Sequence, residues 1–306
     1  MSTLTSEGLI QELIEKGRLK TPRIIEAFRT VERVDFVREE DKSKAFVDMV
    51  LPLGYGQTIS QPSVVAFMLE LLQPEPGEKV LDIGSGSGWT SVLLSKLVGK
   101  RGKVVAIEIM PELKELGEDN TKKYDPGETI KFIRADGNNG WRDNAPYDKI
   151  LVSAEASDLP QALREQLKIG GRIVIPIGFS ICLFVKKSET EFEETSEGGF
   201  NFVPLVNERN RFNREEALEF LRNNTLHRYV FIASMSLTVN DEPPSTDRIT
   251  NLINSEFSSR GSKKRYSIES VNEAVSKLSE LRLVKACWFP TPSLSEEDMK
   301  DLIVMK

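Results

Sequence analysis

A five-residue run, Lys79-Val80-Leu81-Asp82-Ile83, leads straight into Gly84-Ser85-Gly86-Ser87-Gly88, and helical apolar spacing continues over residues 89–98. Strand, glycine loop and helix in that order commit this part of the chain to a βα unit. The glycines allow a tight turn and a close backbone approach to a ligand, while the first helical turn offers unpaired N–H groups and positive dipole character. A second strand over residues 103–107 ends in Glu108. That places a carboxylate about 20 residues beyond the loop, where it can hold ribose hydroxyls. A nucleotide-like ligand with an unphosphorylated ribose fits this pattern.

The dinucleotide fingerprint requires a third glycine three residues after the second, and here that position is Trp89. Gly84, Gly86 and Gly88 instead follow G-x-G-x-G after the acidic strand residue Asp82, the usual pattern of a class I methyltransferase. Taken alone, a glycine loop is weak evidence, and its plainer reading is a tight strand-to-helix turn without a ligand. Upstream lies a second glycine-hinged polar loop, Gly54-Tyr55-Gly56-Gln57-Thr58-Ile59-Ser60-Gln61-Pro62. Two such loops suggest one shared pocket.

From residue 79 onward strands and helices alternate. Strands are expected over 80–83, 104–107, 130–133, 149–153 and 172–176, with helices over 112–123 and 160–167 between them. This predicts an α/β fold with a doubly wound, Rossmann-like parallel sheet, in which ligands sit beyond the carboxyl ends of the strands. The loops carrying Gly84 to Gly88, Glu108, Asp136 and Ser153 would then converge. Residues 180–185 and 200–206 read as further strands. Residues 9–15 and 22–31 have helical spacing, the latter with Thr21 as cap and Pro22 in the first turn, and form an N-terminal helical cap.

The chain has 306 residues with 39% hydrophobic content, enough for a full core and a further small domain. A net charge of -6 argues against a broadly nucleic-acid-binding surface. The N-terminus carries no cleavable apolar signal and no run is long enough to cross a bilayer, so a soluble cytoplasmic protein with no membrane contact is expected. Cys182 and Cys287 lack metal-type spacing and read as buried thiols, with no metal site expected. The single histidine, His227, lies beyond the nucleotide-binding part and reads as structural. Chemistry without histidine suits methyl transfer to a carboxylate, which is already ionised at neutral pH and needs only alignment and electrostatic fit.

Over about residues 5–207 the chain resembles the protein-L-isoaspartate O-methyltransferase family. The ordered motifs that carry the likeness are Thr21-Pro22-Arg23-Ile24-Ile25-Glu26-Ala27-Phe28, the stretch from Leu51 through Gly54 to Pro62, and the strand and loop from Val80 to Gly88. Ala135-Asp136-Gly137, Ala145-Pro146-Tyr147-Asp148, the stretch from Leu167 to Gly178 and Phe202-Val203-Pro204-Leu205 complete the set. The glycine loop is common to methyltransferases, whereas Gly56-Gln57-Thr58-Ile59-Ser60 is specific to this family.

The resemblance implies S-adenosylmethionine as cofactor and isoaspartyl residues of damaged proteins or peptides as substrate. Asp82, Gly84, Ser85, Gly86 and Gly88 would surround its methionine part, Glu108 its ribose, and Asp136 with Gly137 its adenine. Gln57, Thr58 and Ile59 would wall the transfer chamber, and Ser60 would be the active-site hydroxyl. Gln61, Ala154 and Glu155 are the further candidate substrate contacts. The methyl ester formed would collapse to a succinimide and reopen partly to normal aspartate. Each residue also has a plainer reading: Ser60 as cap of a helix over 64–72, Asp82 as support for the neighbouring helix start, Glu108 as a solvated strand end, Asp136-Gly137 as a turn.

Two departures from the family stand out. Ser153-Ala154-Glu155-Ala156-Ser157 replaces small apolar residues followed by proline, and an added carboxylate facing the site would repel an isoaspartyl carboxylate unless turned away or paired. Ser63 stands where many relatives carry a histidine or aromatic residue. Residues 1–210 are read as the methyltransferase domain and 211–306 as a small α+β extension. In the extension, helices are expected over 214–222, 247–257 and 268–281, an apolar stretch over 229–239, a Pro243-Pro244 break, and a strand over 283–289. Its order faintly resembles a winged helix and residues 260–265 hold a short basic cluster, but such clusters are usually solvated loops, and nucleic-acid contact is disfavoured against a lid, recognition or dimerisation role. Two alternatives to repair stand beside it: a methyltransferase for another carboxylate, such as aspartate in a modified peptide, and a non-catalytic cofactor-binding interaction protein.

Overall fold

Runs of Val, Ile and Leu that are apolar on consecutive residues must be covered on both faces, and the computed structural model buries them that way. It describes residues 5–55, 57–125, 129–206, 223–224, 226–227, 230, 246–259 and 265–280. The chain opens with helices α1 (Ser6–Glu15) and α2 (Pro22–Thr30), followed by a short hairpin of β1 (Leu51–Gly54) and β2 (Gln57–Ile59) and by helix α3 (Pro62–Leu72). Then come β3 (Lys79–Ile83), α4 (Trp89–Val98), β4 (Lys103–Glu108), α5 (Pro111–Thr121), β5 (Ile130–Arg134), β6 (Tyr147–Val152), α6 (Gln161–Gln166), β7 (Leu167–Ile177), β8 (Ser180–Lys186) and β9 (Phe192–Gly198).

The sheet order is β5-β4-β3-β6-β7-β8-β9. β5, β4, β3, β6 and β7 run parallel, and β8 and β9 add antiparallel at one side. β3 lies between β4 and β6, so the connections leave it in opposite directions and open a crevice at its carboxyl end. Register puts Ile83 beside Ile107 on one side and Val152 on the other, which aligns the loops that start at Gly84, Ile109 and Ser153.

Alternation along each strand divides the core in two. Val80, Val104, Ala106 and Leu151 face one layer with the apolar sides of α1 to α4, and Leu81, Ile83, Val105, Ile107 and Ile150 face the other with Leu163 of α6. The N-terminal cap packs through Leu9, Ile10 and Leu13 of α1 and Ile24, Ala27 and Phe28 of α2. Phe28 meets Trp89 edge-on at 5.7 Å between ring centroids, tying the cap to the helix after the glycine loop. Thr21 holds the capping position of α2, but its hydroxyl donates to Glu70 Oε2 at 2.7 Å instead of capping.

Three expectations change. The sheet is mixed, because the chain turns back after β7 through short hairpins. Residues 200–206 are not a strand; only Pro204 makes an isolated bridge, to Glu155. The seventh strand is β9, whose sequence Phe-Glu-Glu-Thr-Ser-Glu-Gly lacks apolar alternation because an edge strand exposed to water has almost nothing to bury.

Contacts divide the chain into two units, residues 1–53 with 57–210, and residues 54–56 with 211–306. In the second, α7 (Thr246–Ser259) and α8 (Ile268–Glu280) pack together, and Ile249 and Ile253 of the one and Val271, Ala274 and Val275 of the other are buried. The Asn254 side chain bonds both backbone groups of Tyr266, donating at 3.0 Å and accepting at 2.9 Å. The helix expected over 214–222, the strand over 283–289, the Pro243-Pro244 break, the basic cluster except Arg265, the 229–239 stretch except Val230, and Cys287 lie outside the described residues. Cys182 is buried with a free thiol.

Candidate active site

The three loop glycines take positive φ angles, +77° at Gly84, +49° at Gly86 and +83° at Gly88, which side-chain-bearing residues rarely adopt. The turn is closed by Gly84 and Ser85 N–H groups, both donating to the carbonyl of Ile107 at the end of β4. Glu108, the next residue, clasps both loops: Oε2 accepts from Gly86 N and Oε1 from Met110 N, each at 3.0 Å. It is 6% exposed. Burial pushes its carboxyl up, and the backbone N–H bonds oppose that shift by favouring the charged form. A solvated strand end is therefore excluded as its role.

A cleft lies over these strand ends. Its wall includes Gln57, Thr58, Ile59 and Ser60 from the hairpin side, Gly84, Ser85 and Gly86 from the loop, and Glu108, Gly137, Ser153 and Ala154. Of the residues singled out in the sequence, these come together. Ser60 follows β2 directly, and the residue capping α3 is Gln61, whose side chain does not cap. The Ser60 hydroxyl has no hydrogen-bond partner among the described residues, while its carbonyl accepts from Arg33 Nη2 at 3.2 Å. Helix capping does not account for this serine.

Five candidates lie elsewhere. Gly88 is absent from the wall; a Cβ there would approach Gly117 O at 2.7 Å and Thr121 Cγ2 at 2.8 Å, so this glycine lets the loop pack on α5. Asp136 accepts from Asn138 N at 2.9 Å and starts the turn Gly137–Asn139, while the adjacent Gly137 faces the cleft. Gln61 donates through Nε2 to Asp48 O at 3.1 Å. Glu155 is fixed through its backbone, N–H to Val203 O at 2.8 Å and carbonyl from Leu205 N–H at 2.7 Å, and is not part of the wall.

The fifth, Asp82, is fully buried behind the loop. Ser91 Oγ donates to its Oδ2 at 2.6 Å, and Oδ1 has no partner among the described residues. Burial pushes its carboxyl up to about 7, helped by the nearby charge of Glu108 and opposed by the Ser91 bond.

The wall also holds residues that sequence reasoning did not single out as contacts: Trp89, Ile107, Ile109, Met110, Leu113, and Val203 to Val206. They form an apolar flank suited to a flat base. Ile109 and Met110 were within reach of the general rule that residues just past strand ends line such crevices. Val203 to Val206 were not, because an extended segment bridging to Glu155 has no periodic signature.

S-adenosylmethionine carries a cationic sulfonium and ammonium, a ribose and an adenine. A glycine cradle, buried carboxylates at Asp82 and Glu108 with the unpartnered Oδ1, and an apolar flank match each part, so the residues present fit this group. His227 is not in the wall. Among the described residues, no group of three or more His, Cys, Asp or Glu is placed to hold a metal ion.

Residues 4–210 match the family model described as protein-L-isoaspartate(D-aspartate) O-methyltransferase. The protein-L-isoaspartate O-methyltransferase of Methanopyrus kandleri is 42% identical over 206 residues, 66% of this chain and 91% of its own length. Protein-L-isoaspartate O-methyltransferase 2 of Archaeoglobus fulgidus is 45% identical over 207 residues, 66% and 93% of the two chains. A solved protein-L-isoaspartate O-methyltransferase superposes with a TM-score of 0.60 at 28% identity, covering 68% of this chain and 69% of that one. A Plasmodium falciparum structure named for the same activity, in complex with S-adenosyl-L-homocysteine, shares the fold at a TM-score of 0.59 and 24% identity, covering 65% and 97%. The match takes in the hairpin, the glycine loop and the whole wall of the cleft as one colinear stretch, and the chain belongs to the protein-L-isoaspartate(D-aspartate) O-methyltransferase family.

Proposed function

We propose that Ser60 is the substrate-side hydroxyl of this S-adenosylmethionine-dependent protein-L-isoaspartate O-methyltransferase. The observation that carries the assignment is its hydroxyl, without a partner among the described residues, in the same cleft as Glu108 and the glycine loop. Glu108 would accept from the ribose hydroxyls with its remaining lone pairs, since each oxygen already holds one loop N–H in place. Gly84, Ser85 and Gly86 would line the methionine part, with the buried Asp82 behind them. Gly137 and the apolar flank would take the base, Gln57 to Ile59 would close the chamber, and Ala154 would touch the substrate.

Bound there, S-adenosylmethionine supplies an electrophilic methyl group on a sulfonium. The methyl group would pass to a carboxylate oxygen of the isoaspartyl residue, the C–O bond forming as the C–S bond breaks, to leave a methyl ester and S-adenosylhomocysteine. No base is needed, because the nucleophile is ionised at neutral pH. Two opposite charges are consumed in the step, so a chamber that excludes water favours the transition state over solvated ions. Ser60 would donate to the other carboxylate oxygen and hold the attacking one in line. The neighbouring backbone nitrogen would then attack the ester carbonyl, its proton leaving with the methoxide as methanol, to give the succinimide through which repair proceeds.

Two features favour a different carboxylate, Glu155 and the extra domain; Glu155 is not among the residues of the cleft wall. We further assign residues 1–210 to the methyltransferase domain and 211–306 to an appended domain. Ser60→Ala tests the site: kcat/KM for an isoaspartyl peptide should fall roughly ten- to a hundredfold with S-adenosylhomocysteine affinity unchanged. Full activity in that variant would refute the role of the serine.

A further inference from the structure

Arg33 is 3% exposed, yet no carboxylate lies within ion-pair distance of it among the described residues. Both terminal nitrogens of its guanidinium instead donate to backbone carbonyls, Nη1 to Ala45 O at 2.9 Å and Val47 O at 3.4 Å, Nη2 to Met49 O at 2.9 Å and Ser60 O at 3.2 Å, while Nε has no partner among the described residues. The guanidinium carbon also stands 5.4 Å from the ring centre of Trp89. Ser60 and Trp89 both line the cleft.

Burying a cation costs several kcal/mol unless its hydrogen bonds are met, and an apolar side chain would fill the same space without that cost. A planar fork is needed only where several acceptors lie around one point, and lysine cannot reproduce it. The carbonyls of residues 45–49 alone could account for a structural arginine; the bond to Ser60 and the contact with Trp89 join that segment to the two sides of the cleft. Asp48 secures the same bracket from the other end. Its Oδ1 accepts from Ser63 N at 2.8 Å and its carbonyl from Gln61 Nε2 at 3.1 Å.

We propose that Arg33 is a positioning residue that holds the Ser60 segment in register with the cofactor cradle before substrate arrives. The inference rests on the role assigned to Ser60. Arg33→Met and Arg33→Lys separate it from general support of the fold, read by hydrogen exchange over residues 45–61, by S-adenosylhomocysteine affinity and by turnover of an isoaspartyl peptide. In Arg33→Met, exchange should rise over 45–61 but not over 79–110, cofactor-product affinity should hold, and kcat should fall roughly a hundredfold, the scale of an ångström of misplacement. Arg33→Lys should recover part of the kcat loss. Unchanged exchange over 45–61, or kcat and affinity falling together in both variants, would overturn the inference. Failure of the unaltered protein to methylate the isoaspartyl peptide would count against the assigned reaction instead, and exchange still reads the bracket in that case.

Discussion

Glu108 and Asp82 lie behind the same loop, but their environments differ. Glu108 has a loop N–H on each oxygen, whereas Asp82 has one hydroxyl and an unpartnered atom. Glu108→Gln leaves one loop N–H facing an amide nitrogen, which costs about 1–3 kcal/mol and should weaken S-adenosylhomocysteine binding roughly ten- to a hundredfold by titration calorimetry. For Asp82 the folded protein favours the protonated form, up to about 7 from an ordinary 3.8. Its contribution to stability is complete below the ordinary value and is lost as pH rises through about 7. Asp82→Asn stays neutral, so in urea melts of the ligand-free protein its stability relative to the unaltered chain should climb from pH 4 toward pH 7 and then level off. A pH-independent difference would contradict the buried, protonated state. The motif at Gly84 to Glu108 was open to sequence reasoning because strand ends and glycines are local signals. Asp136, Gln61 and Glu155 were harder to place, since position in a loop does not tell which way a side chain turns.

At the level of elements, the glycine loop and α5 interlock. A Cβ on Gly117 would come within 2.7 Å of Gly86 O, as one on Gly88 would of Gly117 O. Gly88→Ala adds this clash to a disfavoured φ and should destabilise the protein by about 2 kcal/mol or more, read as a lower denaturation midpoint. Little loss of stability would show that the loop can shift on the helix. The buried parallel strands were evident from the sequence because helices cover both faces and force consecutive apolar residues. β9 escaped notice for the opposite reason: it is an edge, and Glu193, Glu194 and Glu197 suit water and discourage further pairing. Residues 200–206 misled because their apolar side chains serve the cleft wall and the core rather than a ladder, with Val203 to Val206 in the wall and Phe202 in the core.

For the whole molecule, the family match ends at residue 210 and the chain continues to 306. If the appended residues are a separate domain, a chain ending at 210 should bind S-adenosylhomocysteine as tightly as the full chain, measured side by side; a large loss would tie the extension to the cofactor site. No described helix is long and apolar enough to cross a membrane. Alternation of elements was sufficient to anticipate the sheet and the place of its crevice, whereas the extension lacks a repeated pattern of that kind; its two amphipathic helices, which lie among the described residues, are where they were expected. The cleft methylates the carboxylate of isoaspartyl residues. Transfer of labelled methyl to an isoaspartyl peptide and to its aspartyl twin tests it most directly: the isoaspartyl peptide should be labelled far faster, as a methyl ester lost on mild base treatment. Equal labelling of the two, or none on the isoaspartyl peptide, would contradict it.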